Sequence, residues 1–267
     1  MSDCLYQRDG GHFLPTAFAG SPWNPKAQHG GPVCGLLAYA AESLFPDPDL
    51  HPTRLTVDLF RAVPKAPVEP QARILRQGRR IGLAEVSLHA DEGVVARATA
   101  LFLRRTNASG VPPVDPGHRG PEGLETTELV PGAVKIHIPE GFHTHLEVRW
   151  ETRPDADKPA FWLRAPARLV EGENWTPFQR AAAISDLGNA LASARIRTQG
   201  EAAMTFINTD STLYLSRLPV GDWIRLSCDH LEDRDGIGLV SVVHHDECGR
   251  FGRTVQARLA NPSRRSA

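Results

Sequence analysis

Asp186 is the residue least at home in its surroundings. It stands in Ala181-Ala182-Ala183-Ile184-Ser185-Asp186-Leu187-Gly188-Asn189-Ala190-Leu191, otherwise apolar or small residues that predict a helix over about 178–195. A carboxylate among helical alanines is disfavoured by propensity, and burying one costs several kcal/mol unless it is paired or protonated. Such a group suits a general base that orients water. The plain alternative is a partly exposed Asp bonded to Ser185, Asn189 or a neighbouring strand. His29-Gly30-Gly31 opens another helical stretch. Unpaired amides at a helix N-terminus favour a developing oxyanion, and glycines let a ligand approach the backbone; the same residues also make an ordinary tight turn into a helix. Asn208-Thr209-Asp210-Ser211-Thr212 interrupts an apolar strand pattern over 203–217. Alternation puts Asn208, Asp210 and Thr212 on one face, where they must bond to each other, to water or to a ligand, or else form a solvated outer face.

Other polar groups carry less. Alternation around Val255, Ala257 and Leu259 turns those three to the core and leaves Gln256 with Thr254 and Arg258 on the surface. Arg61, Arg79, Arg80 and Arg217 have the guanidinium chemistry that binds phosphates, although charged hairpin ends are commonly just solvated. His143, His145 and Glu147 share a face of an expected strand over 142–152. Without further ligands nearby they read as exposed rather than metal-binding. No Gly-x-Ser-x-Gly elbow is present to supply a serine nucleophile.

The elements that must position these residues come in two similar sets. Ile81-Gly82-Leu83 recurs as Ile237-Gly238-Leu239, Arg97 as Arg253 and Leu103 as Leu259, all at one offset, and Trp23-Asn24-Pro25 echoes Trp175-Thr176-Pro177 at a slightly shorter one. A repeat this long means a duplicated small domain rather than a solenoid. At the shared offset Gly30 corresponds to Asp186 and Ala100 to Gln256, the mismatches expected where one copy keeps the chemistry. A Pro- and Gly-rich segment over 106–128 reads as a linker between a first unit at 1–105 and a second at 129–267. In the first unit the pattern predicts an extended segment over His12–Ala19, a helix over Gly31–Phe45, and strands at 53–63, 68–77, 80–90 and 94–105. In the second it predicts strands at 142–152, 160–168, 203–217, 222–232, 236–246 and 250–260 around the helix, and hairpin turns fall at Gly78, Asp91-Glu92-Gly93, Asp235-Gly236 and Cys248-Gly249. Pro32 to Ala41 has no polar face for almost three turns, so that helix must be buried on most sides. A curved antiparallel sheet wrapped around it satisfies the pattern.

Composition excludes several classes. Thirty basic against 31 acidic residues give a formal charge of −1 across 267 residues, with 41% apolar residues to build a core. No long-range field draws in nucleic acid or an acidic membrane. Met1 to Gly11 lacks the apolar run of a signal peptide, and no stretch approaches the ~18 apolar residues of a spanning helix. Four cysteines without close pairing suit reduced thiols in a cytoplasmic protein.

Gln28-His29-Gly30-Gly31, Gly78-Arg79-Arg80-Ile81, Ser185-Asp186, Asn208-Thr209-Asp210-Ser211-Thr212 and Gly252-Arg253-Thr254-Val255-Gln256, in that order, resemble the acyl-CoA thioesterase II group over nearly the whole chain. The resemblance implies an α+β double hotdog: two tandem repeats, each with one buried helix in a curved antiparallel sheet. It also implies hydrolysis of an acyl thioester of lipid metabolism by direct attack of water. In that reading Asp186 is the base or water-orienting group, with Asn208 and Gln256 steering the water. Asn208 stands where the best-known members carry a Thr or Ser hydroxyl, and Gln256 takes the place of the family's glutamine. His29, Gly30, Gly31, Thr209, Arg79 and Arg80 would contact an acyl-CoA or related thioester, and no metal or redox cofactor is implied. Hotdog repeats pair readily, so further self-association is compatible but not required. Two other readings keep the fold: a non-catalytic acyl-thioester binder or biosynthetic partner, and a hydratase/dehydratase. The latter resembles a helix with Asp and His five residues apart, and Leu191 occupies that position here.

Overall fold

The computed structural model describes residues 3–106, 119–129, 139–192 and 204–262. Most of the expected linker, 107–118, lies outside them. The first half contains β1 (Cys4–Asp9), β2 (His12–Pro15), α1 (Gly30–Glu42), β3 (Leu50–Leu59), β4 (Glu69–Gln77), β5 (Ile81–Ala90) and β6 (Gly93–Arg104). The second contains β7 (Glu147–Trp150), β8 (Ala160–Arg164), β9 (Arg168–Val170), α2 (Pro177–Ser185), β10 (Met204–Asn208), β11 (Asp210–Leu215), β12 (Ile224–Arg234), β13 (Ile237–Asp246) and β14 (Gly249–Pro262). The expected hairpin turns are present. Gly93, Gly236 and Gly249 take positive φ of 99°, 79° and 104°, a region open to glycine at little cost.

Among the described residues an eleven-stranded sheet runs in the order β4-β5-β6-β3-β11-β14-β13-β12-β8-β7, with β10 also pairing β14, and β2-β1-β9 form a smaller sheet. The halves join where β3 pairs antiparallel with β11, from Asp58 opposite Asp210 to Arg54 opposite Tyr214. The two helices pack against each other, α1 also against β3 to β6 and α2 against β11. α1 is buried from Gly31 to Ala41 apart from Tyr39, as its continuous apolar character requires. Gly31 allows the close approach: a Cβ there would sit 2.8 Å from the Ala183 carbonyl oxygen of α2 and 2.6 Å from the Phe142 ring. α2 starts at a capping box in which Thr176 Oγ1 accepts from the Gln179 backbone amide and Gln179 Oε1 accepts from the Thr176 backbone amide, with Pro177 in the first turn. Glu42, at the end of α1, accepts from the Thr176 hydroxyl at 2.7 Å and from Gln179 Nε2 at 2.9 Å, fastening the two helices. No helix among the described residues is long and apolar enough to cross a membrane.

Four local expectations change. α2 ends at Ser185, Asp186 and Leu187 form a turn, and helix resumes over 188–192, so Asp186 sits at a break and not inside a continuous helix. The strand expected over 203–217 is two strands. β10 pairs Asn208 with Arg258 of β14, whereas β11 pairs Thr212 with Val255, a register offset of one residue around Thr209. That extra residue reverses the alternation: Phe206 is buried ahead of it, and Ser211, Leu213 and Leu215 behind it. Asn208, Asp210 and Thr212 therefore do not share a face. On β14 the expected faces are inverted, since Thr254, Gln256 and Arg258 are buried while Ala257 and Leu259 are exposed. Finally, 142–144 is a short 3-10 turn rather than strand, which removes the shared face of His143, His145 and Glu147.

Candidate active site

His29 is the N-cap of α1, with extended φ and ψ of −73° and 144°. It is held from both directions. Its amide donates to the Ala19 carbonyl at 2.8 Å. The preceding Gln28 is fixed by the Tyr6 hydroxyl, which donates to Oε1 at 2.6 Å, and by its own Nε2, which donates to the Pro64 carbonyl at 2.8 Å. His29 Nδ1 lies 3.0 Å from the Gly31 amide nitrogen and 3.0 Å from Asp186 Oδ2. One nitrogen cannot accept from an amide and donate to a carboxylate with the same lone pair, so the imidazole proton decides which contact is a hydrogen bond.

Asp186 is 5% exposed. Its Oδ1 accepts from Asn208 Nδ2 at 2.7 Å, a contact the β10–β11 offset makes available. Gly30 is packed on the carboxylate, so a Cβ there would come within 2.5 Å of Oδ1. Behind the carboxylate, Gln256 Nε2 lies 3.3 Å from both the Ser185 and the Asp186 carbonyl oxygens. These are backbone acceptors at the helix break, and they explain why an amide is buried on β14. Gln256 Oε1 is buried and has no hydrogen-bond partner among the described residues.

His29, Gly30, Asp186 and Asn208 border a cavity of about 570 Å³ between the halves, within the range of small-molecule sites. Trp23, Leu59 and Phe60 come from the first half, Leu187 and Ile207 from the second. Trp23 and Phe60 remain 49% and 54% exposed, large apolar side chains left bare beside a buried carboxylate. His29, Gly30, Asp186, Asn208 and the exposed Thr209 all reach this wall. Gly31 does not line the cavity and its amide is turned to His29. Gly30 does line it, and its amide makes no hydrogen bond among the described residues. Gln256 stands behind the wall.

Arg79 and Arg80 are elsewhere. They border a separate groove of about 490 Å³ with Arg76 and Arg104 at the β4–β5 hairpin. Arg104 pairs with Leu50 at the start of β3, whereas Leu59 at its other end borders the Asp186 cavity, a strand length of roughly 30 Å. Arg61 does border the cavity, and Arg217 is bound to Asp246 by two bonds of 2.6 Å.

His143, read from the sequence as exposed, is a wall residue. Its ring stacks on His29 at 6.0 Å between centroids. Burial, reinforced by His29, holds its pKa down to about 4, so it is neutral near pH 7. Asn189 also lines the cavity and donates to the Phe206 carbonyl at 2.8 Å. No local signal marks either residue, because their surroundings come from distant segments. The His29–Asp186 contact also changes the weight of Leu191: a histidine need not share the helix with the aspartate when the other half supplies one. Helix spacing therefore does not separate the hydrolase from the dehydratase branch.

Comparison with known proteins separates them. The model of the acyl-CoA thioesterase N-terminal domain matches residues 19–103, and that of the C-terminal domain matches 114–259. Among solved structures, the TesB protein of Mycobacterium avium subspecies paratuberculosis is similar at 17% identity and a TM-score of 0.68, covering 96% of each chain. Acyl-CoA thioesterase II TesB2 of Mycobacterium marinum aligns at 17% identity and 0.69, over 97% of this chain and 94% of that one. A hot dog protein of unknown function from Alicyclobacillus acidocaldarius aligns at 19% and 0.69, over 97% of both. No curated protein sequence matches. At these identities the solved structures speak for the hotdog fold, and the two domain models, which together span most of the chain, speak for the family. The chain belongs to the acyl-CoA thioesterase family and is a thioester hydrolase.

Proposed function

We propose that the protein hydrolyses acyl-CoA thioesters by direct attack of water, with Asp186 organising the attack. The observation that carries this reading is a buried carboxylate, fixed by Asn208 and beside His29, on the wall of an apolar cavity. The acyl chain lies against Trp23, Leu59, Phe60 and Ile207, where its burial supplies binding energy. The thioester carbonyl oxygen points to the open Gly30 amide at the N-terminus of α1, and the helix end stabilises the negative charge that develops there. The attacking water lies beside the Asp186 carboxylate. Asn208 keeps Oδ1 in place where relatives use a hydroxyl, and Gln256 acts as a positioning residue by holding the backbone on which Asp186 is mounted.

Two tandem hotdog copies, divided near 105 and 129, account for the sheet order. Residues 156 apart meet each other where the halves join: Thr56 pairs with Thr212, their hydroxyls 3.5 Å apart, and Gly30 packs on Asp186. Equivalent residues in mutual contact are what a pseudo-twofold axis requires. Thiol release from acyl-CoAs of graded length, measured for the wild type and Asp186→Asn, tests the activity. The expected loss is at least ~100-fold in kcat, the scale of a general base. Unimpaired turnover removes Asp186 from the mechanism, and tight binding without turnover favours an acyl-thioester binder.

A further inference from the structure

His29 does more than cap α1. Gly31's amide asks for a bare Nδ1, while Asp186 Oδ2 asks for a protonated one, and both lie at 3.0 Å. The carboxylate is the stronger acceptor, and hydrogen bonds to an ionised partner are roughly twice as strong as neutral ones. The proton therefore belongs on Nδ1, which leaves Nε2 bare. Nε2 makes no hydrogen bond among the described residues and, unlike both ring nitrogens of His143, is not sealed from solvent. The ring itself borders the cavity.

We infer that His29 and Asp186 form a split acid–base pair across the two halves, in which His29 Nε2 takes and returns the reaction's proton while Asp186 holds Nδ1–H. The inference rests on reading the Asp186 cavity as the hydrolytic site. Water oxygen bonds to the thioester carbonyl carbon as one water proton passes to Nε2, and the carbonyl electrons move onto oxygen. When the tetrahedral species collapses, the C–S bond breaks, sulfur keeps its electron pair, and the proton on Nε2 goes to the departing thiolate. The pair ends as it began, with carboxylic acid and thiol as products. Orienting and charge-stabilising a histidine in this way needs only a carboxylate at its far nitrogen. Asp186 faces His29 from the helix break and His143 from the 3-10 turn. Cys34 lies further along α1, its thiol pushed up by burial and then by the nearby Asp186 charge, and Arg61 borders the same cavity. His143 stays neutral and does not compete for the proton.

His29→Asn separates the two roles of the residue. Asparagine is a good N-cap, so the helix entry is kept, but it cannot carry a proton near neutrality. Thiol release from an acyl-CoA, followed from acid to alkaline pH, should show kcat reduced about 100-fold, KM little changed, and the imidazole limb of the pH profile gone. His29→Ala should be restored in part, and saturably, by added imidazole. The inference is overturned if His29→Asn keeps most of its turnover and its pH limb while Asp186→Asn loses activity, because the carboxylate then acts alone. It is overturned equally if His29→Ala folds, is inactive and ignores imidazole. Retention of activity by both His29→Asn and Asp186→Asn would instead reject the cavity as the hydrolytic site.

Discussion

Gly30→Ala places a methyl group on the Asp186 carboxylate. An ideal Cβ at this position lies 2.5 Å from Oδ1 and 2.8 Å from both Cγ and Oδ2. Restoring an ordinary contact of about 3.4 Å requires a shift of roughly 0.9 Å at Oδ1, in a close-packed interior that resists such shifts. A displacement of that size stretches the 2.7 Å bond from Asn208 or the 3.0 Å contact with His29. The stability balance is mild. Alanine in a helix is favoured over glycine by about 1 kcal/mol, and the weakened charge-assisted hydrogen bond costs about 1.5–3 kcal/mol. The net loss of about 1 kcal/mol lowers Tm by roughly 2–4 °C. Misplacing a reacting group by about 1 Å costs on the order of 100-fold in rate. Activity should therefore fall far more than stability. Thiol release at saturating acyl-CoA, with Tm from calorimetry on the same sample, gives both numbers. Gly35→Ala is the control, since the nearest atoms to its Cβ are the Leu169 methyl at 3.1 Å and the side chains of Ala183 and Trp175 at 3.4 Å. Wild-type kcat in a folded Gly30→Ala, or a rate loss that merely follows unfolding, refutes the placement of Asp186 at the reacting centre.

Gln256→Ala leaves the Ser185 and Asp186 carbonyls without their partner; it should cost about 1–3 kcal/mol in urea unfolding and lower kcat with KM little changed, whereas a silent variant would deny Gln256 its positioning role. Burial, with His29 and His245 as the respective neighbours, holds His143 at about 4 and His244 at about 3, below the 6.5 of a free histidine. Between those values the unfolded chain binds protons that the folded one refuses, so stability falls as pH drops, by up to about 1.4 kcal/mol per pH unit for each histidine. Glu42 and Asp210, whose carboxyls burial pushes up, oppose this at the acidic end. Urea midpoints that are flat or rising from pH 7 toward about pH 5 contradict the burial of these imidazoles. Asp246 accepts two bonds from Arg217 and one each from the Val220 and Cys248 amides. Asp246→Ala should destabilise by about 3–5 kcal/mol without changing turnover per folded molecule, and a smaller loss would show Arg217 rehydrating freely. Arg79→Ala with Arg80→Ala should leave kcat unchanged, because their groove lies at the far end of β3; a kcat loss in the folded double variant contradicts that separation.

What could be read in the sequence was whatever depends on neighbours close in the chain. The apolar run from Pro32 to Ala41 could only be a buried helix, and it is one. Asp-Gly and Glu-Gly turns closed the hairpins where they stand, because glycine alone takes positive φ cheaply. Asp186 was conspicuous as a charge without local company, and the Gln28-His29-Gly30-Gly31 motif marked the helix entry. Tertiary structure decided which polar groups meet. One extra residue at Thr209 turned Asn208 toward Asp186 and Asp210 away, and no pattern within a strand records such an offset, since alternation has the same period on either side of it. Thr254 and Gln256 turn inward to His244 and to the helix-break carbonyls, and Arg258 to Asp233 and the face of Phe206, where hydropathy assigns all three to water. His143 reached the cavity because Phe142 docks on Gly20, a contact between halves. Burial of a polar side chain depends on the distant partner that satisfies it, and only the folded chain brings that partner near.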